Sequence, residues 1–413
     1  MRFGIFYEHQ LPKPWAEGAE ERLFAEALDQ VVLADRLGYD NAWAVEHHFL
    51  EEYSHSSAPE VFLAAAAART EKIRLGHGIR QTPRAYNHPA RTAESVSTLD
   101  VISHGRVEFG IGEGATRLEL GGFGIPAKEK RAMSLDAGEQ IANMMTMTPY
   151  PGYEGKYFSM PCRNVIPKPV QKPHPPMWIA CTNRDTIALA ARNGLGALAF
   201  AFASEGEAAH WVKSYYEIIK SDECVPLGHT VNANIAVVTS FSLHESRAEA
   251  IRRGYDGFGF FRYAIGAMVA KDTTPGRTTL WEDYEEQRGD GVERAVTAAE
   301  AAGDEYAGGL GRPDDVRRHL EGLEDVGVDQ VIFLQQGGRN KHEHICDSLE
   351  LFASDVMPAF HGRNLGREER KKKDLAPFVE AALARKPRMR ELANDEIPVV
   401  AASVPAPQVS GSP

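Results

Sequence analysis

Glu46-His47-His48 places a carboxylate and two imidazoles directly after the apolar run Trp43-Ala44-Val45. Imidazole is the side chain most easily set to move a proton near neutral pH. Successive residues of a strand face opposite ways, so one ring would lead and the other would support it. An arbitrary His-His pair serves equally well as hydrogen-bonded structure. What distinguishes this one is its place at the end of a strand, where barrel enzymes keep their chemistry. His55, His77 and His88 also follow strands, but no HExxH spacing occurs, and no catalytic metal is expected.

Two further segments carry possible chemistry. Gly110-Ile111-Gly112-Glu113-Gly114 is spaced GxGxG rather than GxGxxG, comes fourth in the chain's strand series, and puts Glu113 where a pyrophosphate would approach. It is a weak dinucleotide signal, although glycines such as Gly112 let a flat group approach the backbone. Cys181-Thr182-Asn183-Arg184-Asp185-Thr186 offers hydroxyls, a guanidinium and a helix N-terminus that together could hold a phosphate. The same residues also read as an ordinary N-cap.

The elements that must position these groups alternate almost from end to end. Strands are expected at Arg2–Tyr7, Tyr39–Glu46, Ile73–Ile79, Arg106–Ile111, Met177–Ala180, Ala197–Phe202, Asn234–Phe241 and Gln330–Leu334, with helical patterns between them. Eight βα units predict a (β/α)8 TIM barrel, with a doubly wound open sheet as the alternative. The proline-rich stretch Val165–Pro176 reads as an excursion from that scaffold. Lys271–Leu310, after strand 7, reads as a polar, weakly structured insertion of the kind that forms lids. Residues 1–362 would form the barrel domain, and 363–413 a charged helical extension with a disordered end from Pro398.

The net charge of −12 argues against a nucleic-acid or anionic-membrane partner. Four scattered cysteines without a CxxC pair read as free thiols of a reducing compartment. With neither a secretion signal nor a long apolar run, a cytoplasmic location is expected. Phe49, Phe200, Phe202, Phe258, Phe260 and Phe261 suggest an apolar pocket wall, with barrel-to-helix packing the equal alternative for each.

Taken in order, several segments resemble the bacterial luciferase-like flavin monooxygenases. They are Met1–Phe6, Gly38-Tyr39-Asp40 through Glu46-His47-His48-Phe49, Arg74-Leu75-Gly76, His88-Pro89 with Arg91 and Glu94, and Ser103–Gly110. Pro173–Trp178, Gly311-Arg312-Pro313-Asp314 and Leu349–Pro358 complete the set, which covers about residues 1–360.

The resemblance implies a barrel that takes reduced FMN from a separate NAD(P)H-flavin reductase. It reacts the flavin with O2 and inserts one oxygen atom into an apolar organic substrate via a C4a-peroxyflavin. Homodimers are the family habit. An F420-dependent oxidoreductase, a non-catalytic flavin-binding protein and a metal-dependent barrel hydrolase remain as alternatives. By the same resemblance His47 matches the active-site histidine, and Glu119 lies near a family acidic residue. Gly78-Ile79 falls where the family has a non-proline cis peptide beside the flavin ring. Glu113 stands where the family has a phosphate-binding arginine, and Arg184, with Thr182 and Thr186, is the expected replacement. The insertion would correspond to the mobile active-site loop.

Overall fold

The computed structural model describes residues 1–200 and 205–401. Eight parallel strands close into a barrel: β1 (Arg2–Tyr7), β2 (Asn41–Ala44), β3 (Arg74–Gln81), β4 (Val107–Gly112), β5 (Met177–Cys181), β6 (Gly196–Ala199), β7 (Ile235–Thr239) and β8 (Gln330–Gln335). Each strand pairs with its sequence neighbours, and β1 closes on β8 with Tyr7 opposite Gln335. The TIM-barrel expectation holds, and the open sheet is set aside.

The helices are α1 (Ala19–Leu37), α2 (Pro59–Ala67), α3 (Pro89–Ile102), α4 (Arg117–Gly122), α5 (Lys130–Thr146), α6 (Arg184–Arg192) and α7 (Glu205–Ile219). They continue with α8 (Arg247–Ala270), α9 (Leu280–Arg288), α10 (Gly291–Ala302), α11 (Pro313–Asp325), α12 (His342–Asp355) and α13 (Met357–Arg385).

Strand alternation sorts the core into two layers. Phe3, Ile5 and Tyr7 of β1 pack outward against the helices, while Phe6 joins Trp43, Trp178, Leu198 and Ile332 inside the barrel. The two tryptophans meet edge to face, ring centroids 5.4 Å apart, and fill the barrel interior below its C-terminal mouth.

Four expectations need correction. Strand 2 stops at Ala44, so His47 and His48 stand in the following loop. The non-proline cis peptide expected at Gly78-Ile79 is not found; the cis bonds among the described residues all precede proline. At that point β3 bulges instead, its register against β4 shifting between His77 and Arg80. Lys271–Leu310 is not weakly structured. It holds α9 and α10, whose Leu280, Trp281, Tyr284, Val296 and Ala299 are buried. Its many charges disguise that helical apolar spacing. Finally, the boundary at residue 362 falls inside α13, which runs unbroken along the chain to Arg385 and buries Leu375 and Ala382.

The excursion before β5 includes an antiparallel hairpin, Tyr150–Glu154 with Ser159–Arg163. The tail beyond 401 and Phe202, both subjects of sequence expectations, lie outside the described residues. Among the described residues no helix is long and apolar enough to cross a membrane.

Candidate active site

A cavity of about 470 Å³ opens at the C-terminal mouth of the barrel. That size suits a cofactor-sized ligand. One end is acid–base in character, the other cationic, and the middle is lined by glycine and aliphatic residues.

At the acid–base end, the loop after β2 turns on Phe49 and Glu51, both at positive φ, and the backbone N–H of His47 donates to Ser56 O at 2.9 Å. His47 lines the cavity; its Nδ1 is 2.9 Å from Glu119 Oε1, and its Nε2 is 3.8 Å from Glu8 Oε2. His48 turns away to Glu46 at 3.1 Å and packs on Tyr86 and Phe123. Glu46 in turn accepts the N–H of Gln81 and the amide of Asn87, both at 2.8 Å. The two rings therefore part, His47 facing the cavity and His48 turned to Glu46. Their opposite settings come from two different carboxylates, Glu119 and Glu46, rather than from strand alternation.

Glu119 is fully buried and serves two ends at once. It completes the capping box of α4 with Thr116, and it accepts from Gln81 Nε2 at 2.9 Å as well as holding His47. Its carboxyl sits behind the imidazole, off the cavity wall, so it positions His47 rather than touching a ligand. Burial opposes charge on all three groups, but the partners win at two of them. The His47 imidazolium and the Thr116 donors hold Glu119 down at about 2, while Glu119 and Glu8 raise His47 to about 9. Glu8, where burial dominates, is pushed up to about 7.

The middle of the cavity is shaped by the bulge. A Cβ at Gly110 would strike the His77 carbonyl, and one at Gly112 would strike the Ile79 side chain. This close approach, not dinucleotide binding, explains the GxGxG run. Gly78, Ile79 and Gly112 all line the cavity there. Gln81 Oε1 is a buried acceptor without a hydrogen-bond partner on the same wall.

At the cationic end, Glu113 is held by Lys130 at 3.3 Å and Arg131 at 3.1 Å. Two cations around one carboxylate leave a net positive charge. Both stand at the first turn of α5, whose N-terminal N–H groups favour an anion. Thr182 and Thr186, from the start of α6, also line the cavity.

The other phosphate candidates are placed differently. Arg184 is exposed and makes a two-pronged ion pair with Glu207 at 2.8 and 2.7 Å, off the cavity wall. Cys181 is buried in the barrel-to-helix layer, its thiol donating to Thr186 O at 3.3 Å. Asn183 and Thr186 form a capping box, so the Thr186 hydroxyl is already engaged by the N–H groups of Thr182 and Asn183. Here the plain N-cap reading prevails.

Among the suggested aromatics, Phe200 and Phe261 line the cavity. Phe260 is buried against Trp281 and Tyr284, Phe49 is largely exposed on Phe123, and Phe258 packs on Phe261. Sequence reasoning missed Glu8, Lys130 and Arg131. Glu8 directly follows β1, the same strand-end position that singled out His47. Basic residues in the first turn of a helix oppose its dipole, which was the available signal for Lys130 and Arg131.

These residues fit a flavin phosphate. The cations and helix N-terminus suit the phosphate, the glycine–isoleucine wall suits a flat ring, and Gln81 Oε1 is a free acceptor for a ring N–H. The cluster needed for a metal site is lacking among the described residues.

A (β/α)8 barrel with a charge-lined cavity at its C-terminal mouth has the layout in which such barrels place their ligands. The family model for luciferase-like monooxygenases matches residues 1–330, and the chain belongs to that family. The oxygenase component of flavin-dependent trigonelline monooxygenase from Acinetobacter baylyi is 23% identical, over 89% of this chain and 98% of that protein. The alkanal monooxygenase alpha chain of Photorhabdus luminescens is 24% identical over 87% and 96%. Two proteins of Sinorhizobium fredii reach 35% and 30% identity, but those matches span about half of their length, 50% and 47%.

Among solved structures, monooxygenase RslO1 from Streptomyces bottropensis superposes with TM-score 0.69 at 26% identity, covering 87% of this chain and all of that one (100%). The oxygenating constituent of 3,6-diketocamphane monooxygenase from Pseudomonas putida, in complex with FMN, gives 0.65 at 22% identity over 87% and 98%. An F420-dependent reductase from Methanopyrus kandleri shares the fold, with TM-score 0.58 at 22% identity over 87% and 99%.

Proposed function

We propose that this chain is the oxygenase component of a two-component flavin monooxygenase. It would take reduced FMN from a separate NAD(P)H-flavin reductase, use O2, and insert one oxygen atom into an organic substrate. The observation that carries this reading is one cavity with a cationic pair at one end and a carboxylate-held histidine at the other. A flavin-dependent oxygenase component and an alkanal monooxygenase alpha chain, matching 89% and 87% of this chain, support it.

When bound, reduced flavin supplies the electrons and the activation of O2. The chain's own residues do the rest. Lys130, Arg131 and the α5 N-terminus would hold the phosphate. Gly78, Ile79 and Gly112 would give the ring its flat wall. Glu119 orients His47 through Nδ1, which leaves Nε2 to hold or move a proton inside the cavity.

The start of α9 and the stretch before it cross the loop after β2. There Glu52 accepts the N–H groups of Leu280 and Trp281 at 2.8 and 3.1 Å, and Glu51 bonds Thr278 Oγ1 at 2.7 Å. This clasp lies a few residues from His47, and it would keep water from the acid–base end. Deleting residues 273–290 should raise peroxide release per turnover; an unchanged ratio of product to peroxide would refute the covering role.

The experiment that tests the reading offers the protein reduced FMN and reduced F420 separately, then O2. Saturable binding of reduced FMN with O2 consumption supports it. Preference for reduced F420 without O2 uptake would replace it with the deazaflavin alternative.

A further inference from the structure

Glu8 is an unusual wall for an apolar pocket. It is 2% exposed, its Oε1 accepts the Tyr53 hydroxyl at 3.0 Å, and its Oε2 is buried without a hydrogen-bond partner on the cavity wall. A buried carboxylate oxygen without a hydrogen bond is costly, and a structure keeps one where a ligand group completes it. The 3.8 Å gap from Oε2 to His47 Nε2 is too long for a hydrogen bond. An oxygen placed about 2.8 Å from both atoms closes it, donating to the carboxylate and accepting from the imidazole. Around this gap, Tyr53 and Phe261 stack at 6.0 Å and His47 meets the Tyr53 ring edge-on, so the space beside it favours an aromatic ring.

We propose that Glu8 Oε2 and His47 Nε2 are the two arms of a clamp for a ring hydroxyl, which makes the substrate a phenol- or enol-like molecule rather than a plain hydrocarbon or aldehyde chain. The assignment rests on the oxygenase reading and names its substrate class. In the clamp the substrate O–H bond breaks, its proton passes to Glu8 Oε2, and the electron pair stays on the substrate oxygen. That oxygen's negative charge faces the N–H of the protonated His47 ring. The ring thereby becomes electron-rich, which is what attack on an electrophilic oxygen requires. The titratable groups bearing on this pair are Tyr53 from the turn at Glu51–Tyr53, Glu46 from the loop after β2, and Glu119 from α4. The elevated value of Glu8, about 7, matches a base that exchanges protons near neutral pH.

The test compares 4-nitrophenol with nitrobenzene on the full chain, following binding by protein fluorescence and ionisation of the phenol by its visible absorbance. Wild type should prefer 4-nitrophenol by about 10–100-fold, the effect of a hydrogen bond to a charged group, and should bind it ionised. Glu8→Gln should lose that preference and the absorbance change while binding nitrobenzene as before. Equal affinity for the two ligands in wild type overturns the clamp, with no variant needed, and so does a Glu8→Gln protein that keeps the preference. Titration with reduced FMN separates the two readings: absent FMN binding defeats the oxygenase assignment, whereas intact FMN binding without a hydroxyl preference defeats the clamp alone.

Discussion

The two ends of the barrel handle buried charge in opposite ways. At the bottom, where strands begin, charge is tied down. The Arg106 guanidinium donates to Ser103 O, Thr70 Oγ1, Ile73 O, Ala67 O and Thr70 O. Arg74 pairs with Glu108 at 2.5 Å, the N-terminal amine with Glu324 at 3.1 Å, and Lys371 of α13 with Asp329 at 2.8 Å. At the mouth, Glu8 and Gln81 keep unpartnered acceptors, and two cations share one carboxylate.

Backbone strain divides the same way. Of the non-glycine residues at positive φ among those described, His9, Phe49, Glu51 and Gln336 follow β1, β2 and β8 at the mouth, and only His104 lies at the bottom. Such residues cost about 1–3 kcal/mol each and persist where the surroundings hold them for a purpose. The end whose charges are paired within the protein serves stability, and the mouth, where Glu8 Oε2 stays open to the cavity, is left for ligands.

The comparison breaks first at His47. His47→Ala should lower turnover by about 10²–10⁴-fold, the range for losing a positioned acid–base group, with flavin affinity little changed. Full turnover would move the chemistry elsewhere in the mouth. Arg106→Ala should do the reverse. Leaving four buried carbonyls unserved should cost about 3 kcal/mol in urea unfolding, with no effect on flavin affinity. A change in affinity would blur the separation of the ends.

Glu119→Gln sharpens the electrostatics. It should lower the His47 pKa from about 9, as read by NMR titration of the imidazole. The sign of the linked stability follows. His47 is raised, so its share is full below 6.5 and lost as pH rises through about 9. Glu119 is depressed, so its share is full above 4.5 and lost as pH falls through about 2. The pair therefore stabilises most between those ordinary values, and in Glu119→Gln the pH dependence at both flanks should flatten. The smallest effect is expected at Arg184→Glu, whose partner Glu207 and exposed position put it off the cavity. Reduced-FMN affinity should change by less than about twofold, since a screened surface charge contributes little.

Much of this was legible in the sequence, and the misses have physical causes. The eight strands followed from apolar runs, strand ends singled out the His47-His48 pair, and the family resemblance nominated His47 within it. Glu119 was found by family resemblance, but its capping box, and hence its place behind the imidazole, needed the fold. Arg184, expected to hold a phosphate, pairs with Glu207 off the cavity wall, and hydroxyls and a guanidinium near a helix start look alike in sequence whether they cap or bind. Lys130 and Arg131 reach Glu113 across 17 and 18 positions of chain, a closeness that only tertiary structure reveals. The bulge in β3 left no local mark except the glycines opposite it.

On the proposed function, the mouth would hold reduced FMN with its phosphate at the start of α5. Anaerobic titration of reduced FMN into wild type and into the Lys130→Glu, Arg131→Glu double variant tests it most directly. The account predicts saturable binding in wild type, weakened at least about tenfold in the variant, as expected for losing charge-assisted bonds to a phosphate. Equal affinity in the two proteins would contradict it.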